Sequence, residues 1–193
     1  MVNSRTYWHW ATFALVVFVL TYSLIFKPEF LPELVFISSS YVLLYLYDRK
    51  FKLSTPAYIL FVCIPLVHML GVLGFYAIFI VGNLGYDKFV HFFGSFAALY
   101  GVSEIFPKKM KFRYIFLILV VLGAGSIVEA NEFIGYRYFG VDNGGIFTMG
   151  DQLPEIKSDL QTFDTYFDII FNTLGAITAV GVLEIKKSLV FSR

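Results

Sequence analysis

The stretch YWHWATFALVVFVLTYSLIF, Tyr7–Phe26, contains no Asp, Glu, Lys or Arg. Coiled as a helix, ~20 apolar residues span the ~30 Å of hydrocarbon in a bilayer. Five segments of similar character follow, at Phe30–Tyr47, Pro56–Val81, Tyr86–Phe106, Phe112–Phe133 and Gln161–Glu184. Lipid offers no hydrogen bonds to a backbone, so such segments must satisfy their own as helices. The pattern predicts an all-α, polytopic membrane bundle of six transmembrane helices. It forms one integral membrane domain over residues 1–193, with a long outward loop at 135–160.

Composition agrees. Hydrophobic residues make up 58% of the chain and charged residues 15%, against about a quarter charged in an ordinary soluble domain. Net charge is +1, with no basic tail, so nucleic acid is excluded as a partner. Cys63 is the single cysteine, so no intrachain disulfide can form. Arg5 precedes the first apolar run and no small-x-small cleavage site occurs before Lys27. The first run is therefore expected to stay as a helix and not to be removed as a signal peptide.

Orientation follows from the basic residues. Arg5, Arg49, Lys50, Lys52, Lys108, Lys109, Lys111, Arg113, Lys186, Lys187 and Arg193 fall on one side, eleven of the 15 Lys and Arg. Lys27, Lys88, Arg137 and Lys157 fall on the other. By the positive-inside rule both termini are expected to be cytoplasmic.

Ionisable residues inside a membrane are costly, so each calls for a partner or a function. The fourth helix opens with YDKFVHFFG. Asp87 and His91 are four apart and share a face, which Gly94, Ala98 and Gly101 continue as a surface for close helix approach. On the fifth helix Glu129 lies sixteen residues beyond Arg113, roughly 24 Å along the axis. Glu132 follows one turn on, and Gly125 and Ser126 share the face. With the helix expected to end near Phe133, both glutamates oppose its dipole. On the sixth, Gln161, Asp164, Asp168, Asn172, Gly175 and Ala179 form one stripe, polar in its outer half and small-sided deeper.

Three polar faces thus reach the same outer depth. The expected site comprises Asp87, His91, Glu129, Glu132, Asp164 and Asp168 as metal ligands, with Asn172 as a further polar member. His91, Asp168 and Glu129 are its candidate catalytic groups. Such an oxygen-rich set with one imidazole suits a divalent cation. No H-E-x-x-H, G-x-S-x-G or P-loop occurs. His68 is expected to bond a neighbouring helix, and Glu104 to snorkel toward the cytoplasmic surface or pair with Lys108 at i,i+4.

YDKFVHFFG, EANEF and DTYFD followed by NTLGA resemble the small prokaryotic inner-membrane proteins of the YjdF type. More distantly, DKFVHFF and DIIFNTLGA look like the VanZ-like family. The resemblance covers the last three helices and implies an architecture more than a reaction. Three functions remain open. The cluster would hold a cation that grips a phosphate-bearing lipid head group, with His91 as general base and the acidic outer loop as a lid. It would otherwise titrate in a small proton- or cation-coupled transporter, or merely tie three helices together.

Overall fold

The computed structural model describes residues 4–26, 31–72, 75–77, 79–81, 84–139 and 158–191. Six α-helices appear among them. They are α1 Ser4–Phe26, α2 Leu31–Phe51, α3 Thr55–Val72, α4 Tyr86–Ser103, α5 Arg113–Phe139 and α6 Ser158–Phe191. The 27 residues of α5 and the 34 of α6 exceed the ~20 that cross a bilayer core. α4 is the hub, packing on α3, α5 and most extensively on α6.

The third helix is shorter than its apolar run suggested. It ends at Val72, not Val81, and gives way to a 3-10 turn at Phe75–Ala77. An antiparallel hairpin follows, β1 Phe79–Val81 with β2 Leu84–Gly85. Glycines at 71, 74, 82 and 85 punctuate this stretch and favour turns over a continuous helix. The break is also fixed by contacts. Tyr76 folds back on α3, its hydroxyl 2.6 Å from His68 Nδ1. A side chain at Gly71 would collide with its ring. His68 is thus a tie within one local unit.

Two cores stack side by side. Ile37, Tyr41, Leu44, Ala57, Tyr58 and Met69 join α1, α2 and α3, and reach Tyr100 of α4. Leu99, Leu117, Val121, Ala176 and Ala179 join α4, α5 and α6. At Gly175 a Cβ would strike the Phe92 carbonyl, so α4 and α6 approach backbone to backbone. Small residues bring helices together in this way where lipid provides no hydrophobic drive.

The outer surface is apolar. Ile115, Leu119 and Ile127 of α5 and Ile170, Ile177 and Ile185 of α6 are all exposed. Two described helical segments, Arg113–Ile134 and Asp164–Leu189, are long and apolar enough to cross a membrane, and Thr55–Gly71 is a shorter apolar helix. Only 17% and 28% of the two long segments are buried. The core helix of a soluble protein would be largely enclosed, so these faces need an apolar solvent.

The end carrying Arg113 and Lys186 has its own polar ties. Glu104 does not depend on Lys108. Its carboxylate accepts from the backbone N–H of Ser54 at 2.7 Å and from the Ser54 hydroxyl at 2.5 Å. Ser54 itself caps α3, accepting from Ala57 N–H at 3.4 Å. Asp48, 1% exposed, meets His9 Nε2 at 2.8 Å and links α1 to α2.

Gly175→Ala should lower the thermal unfolding midpoint in detergent, at an overpacking cost of about 1–3 kcal/mol. Gly181→Ala, where an added Cβ meets nothing within 4 Å, should leave it unchanged or slightly raised. Equal midpoints for the two variants would show that α4 and α6 do not meet at Gly175.

Candidate functional site

The hairpin delivers the chain into α4 through Gly85, in extended conformation with φ −74 and ψ 169. Tyr86 is buried and its hydroxyl donates to Val67 O of α3 at 2.9 Å. This anchor sets the rotation of the first turn of α4. Asp87 occupies that turn, where a carboxylate suits the helix dipole. Lys88 points into the bundle, only 7% exposed.

Lys88 is the centre of the site. Its Nζ donates to Asp87 Oδ2 at 2.6 Å and to Asp168 Oδ1 at 2.6 Å, and also to Asp164 Oδ1. One ammonium therefore uses its three donors on three carboxylates from two helices. Asp168 is buried, at 1% exposure, whereas the Asp164 side chain is 42% exposed and lies at the rim.

His91, one turn below Asp87, sits among three acids. Its Nε2 is 3.4 Å from Asp87 Oδ1, 3.6 Å from Asp168 Oδ1 and 3.7 Å from Glu129 Oε1. The Glu129 side chain is 8% exposed. Thr165 of α6 stands near its carboxylate, and Oε1 is buried without a hydrogen bond. Glu132 stands within electrostatic reach of Glu129, Asp87, His91 and Asp168. Deeper still, Ser95 donates to Asn172 Oδ1 at 2.7 Å. The Asn172 amide lies over Gly125, where a Cβ would meet its Nδ2 at 2.8 Å.

The structure thus gathers Asp87, His91, Glu129, Asp164, Asp168 and Asn172 at one end of the α4–α5–α6 unit, with Glu132 beside them. Asp87, His91 and Asp168 each offer a ligand atom within 4.8 Å of the others, a spacing one metal ion could bridge. The side chain of Gln161 and the loop at 140–157, expected as a lid, lie outside the described residues. Two details differ from expectation. α5 continues to Phe139, so Glu129 stands well inside the helix and the dipole, which acts within the last turn, bears little on it. The face of α4 turned to α6 carries Lys88, Ser95 and Leu99. Around Gly94 there is open space, and Gly101 packs under Phe61 of α3.

Sequence reasoning placed Lys88 with the loop cations and passed over Ser95 and Thr165. A signal was present. Lys88, His91, Ser95 and Leu99 recur at three- and four-residue spacing, which is one helical stripe.

The chain matches, over residues 7–188, the family described as predicted membrane protein DUF2238. It belongs to the DUF2238 family. An uncharacterised protein of Thermotoga maritima is 28% identical over 109 residues, which cover 53% of this chain and 50% of that protein. The chain thus spans about half the length of the curated relative it matches. No solved structure matches. The matched range includes Asp87, Lys88, His91, Glu129, Asp164 and Asp168.

Buried ion pairs are strongly destabilising to break singly. Lys88→Met and Asp168→Asn should each cost about 3–5 kcal/mol, read from unfolding in detergent. The double variant should cost less than their sum, with a coupling of about 1–3 kcal/mol. Strict additivity would mean that the two side chains do not pair.

Proposed function

We propose that this DUF2238 protein is a multi-pass plasma-membrane protein with both termini cytoplasmic and an acid-rich site opening outward. In this reading the site binds a lipid head group with the help of a cation. The observation that carries it is the imbalance of charge. Asp87, Glu129, Glu132, Asp164 and Asp168 face one ammonium, Lys88, and one imidazole, His91. Carboxylates crowded in a membrane favour uptake of positive charge. A bound cation would in turn attract a phosphate-bearing head group, with His91 placed for proton transfer. The similarity of YDKFVHFFG, EANEF and DTYFD to YjdF-type proteins supports a role shared by small membrane proteins of that kind.

A transporter is less well supported. Below the cluster, Leu99, Leu117, Val121, Ala176 and Ala179 form an apolar layer, and Gly175 lies against the Phe92 backbone. Among the described residues, polar ties between these helices resume at the far end, where Tyr114 bonds Glu184 and Lys186 bonds Tyr100. A conduit needs polar groups in between.

Phospholipid retention tests the proposal. Protein solubilised in mild detergent and washed should keep about one phospholipid per chain, counted as organic phosphorus. Asp168→Asn and Glu129→Gln should each reduce that to background. Glu129→Gln is the more telling variant because Glu129 Oε1 holds no hydrogen bond whose loss would loosen the bundle. Retention equal to the parent in both, with helicity and monodispersity preserved, would exclude the head-group reading.

A further inference from the structure

Asp87, His91 and Asp168 each offer a ligand atom within 4.8 Å of the others, and the separations from His91 Nε2 to the two aspartates suit neighbouring metal ligands better than hydrogen bonds. Good N–H···O bonds run about 2.7–3.2 Å. Here Asp87 Oδ1, Asp168 Oδ1 and Glu129 Oε1 stand at 3.4, 3.6 and 3.7 Å. Zinc binds imidazole nitrogen and carboxylate oxygen at about 2.0–2.2 Å in tetrahedral geometry. Neighbouring ligands of such a tetrahedron lie ~1.6 bond lengths apart, roughly 3.3–3.6 Å. Octahedral magnesium, with bonds of about 2.0–2.1 Å, would draw neighbours to roughly 3 Å.

Acidic groups alone would not make a site. Glu129 adds a separate observation, because its side chain is over nine-tenths buried. Its Oε1 faces His91 without a hydrogen bond. An oxygen held in that state gains most from a cation.

We infer that Asp87, His91 Nε2 and Asp168 form a three-ligand site for a divalent metal of the zinc type, with the fourth position open beside Glu129 Oε1 and the ammonium of Lys88 opposed to it. This rests on the cation-binding part of the proposed function and names the ion and its donors. Asp164 is not a ligand here, since it belongs to Lys88 at the rim. Lys88 Nζ shares Asp168 Oδ1 with the metal position and also holds Asp87 Oδ2. It is a resident cation competing for the same charge. Binding the metal therefore weakens the grip of Lys88 on both aspartates, and removing Lys88 strengthens the metal site.

The test uses the full chain in detergent, stripped with chelator and titrated with zinc chloride alone. Bound zinc and the thermal midpoint are both read. The parent should bind one zinc per chain. Glu129→Gln should weaken binding at least tenfold while its metal-free midpoint stays near the parent's. Lys88→Met should be destabilised without metal, bind zinc at least tenfold more tightly, and recover stability as zinc is added. A cluster that only ties helices together gives no such rescue. The inference is overturned by absence of saturable zinc binding in both parent and Lys88→Met, or by binding that Glu129→Gln leaves unchanged. Phospholipid counted on the same samples separates the two ideas. Lipid retained without zinc removes the metal alone, and zinc bound without lipid removes the head group alone.

Discussion

The ammonium of Lys88 decides how the second half of this chain assembles. It reaches from the first turn of α4 to two carboxylates on α6 and to its own neighbour Asp87. In lipid, apolar faces gain nothing by leaving tails that are equally apolar, so helices are joined by close packing and polar bonds. Lys88 supplies the polar bond at one end of the α4–α6 contact. Gly175 permits the close packing a little deeper, where the two backbones meet. With these two points fixed, α5 is positioned by what remains. Gly125 fits over Asn172, and Glu129 is brought opposite His91.

The result is a layered unit. Asp87, Lys88, His91, Glu129 and Asp168 form a charged layer, with Ser95 and Asn172 as its floor. Leu99, Leu117, Val121, Ala176 and Ala179 form a dry layer beneath. Arg113, Tyr114, Glu184 and Lys186 form a second polar layer at the far end. The far layer is explained by ordinary anchoring, since long cationic and phenolic side chains near helix ends place their polar tips toward the interface.

Much of this was legible in the chain itself, and the reasons differ by element. The stripe on α6 could be read because Asp168, Asn172, Gly175 and Ala179 keep strict helical spacing, and a polar residue there has no bland explanation. Glu129 could be read because a carboxylate in so apolar a run, LVVLGAGSIVEA, needs a reason to exist. Lys88 was missed because a lysine next to a predicted helix boundary is ordinarily a solvated flank. Its inward turn depends on Tyr86 bonding Val67 of α3, a contact between segments that periodicity cannot report. The end of α3 was misjudged for a related cause. A run of leucine, phenylalanine and isoleucine continues through Val81, and hydropathy hardly registers the glycines that let Tyr76 fold back over Gly71. The partner of Glu104 likewise lay fifty residues away at Ser54, where i,i+4 reasoning does not look.

Ties between helices and a binding site would use the same residue types, so burial and charge cannot separate the two roles. Satisfaction can. A cluster shaped only for cohesion settles with its hydrogen bonds made, since an unmet buried acceptor is a standing cost of about 1–3 kcal/mol or more. Lys88, Asp164, Ser95 and Asn172 conform to that expectation. Glu129 does not. Its Oε1 is turned to His91 at a distance too long for a hydrogen bond and has no other partner among the described residues. The cohesion of the bundle does not require this oxygen where it stands. The proposed cation beside the imidazole would meet that acceptor.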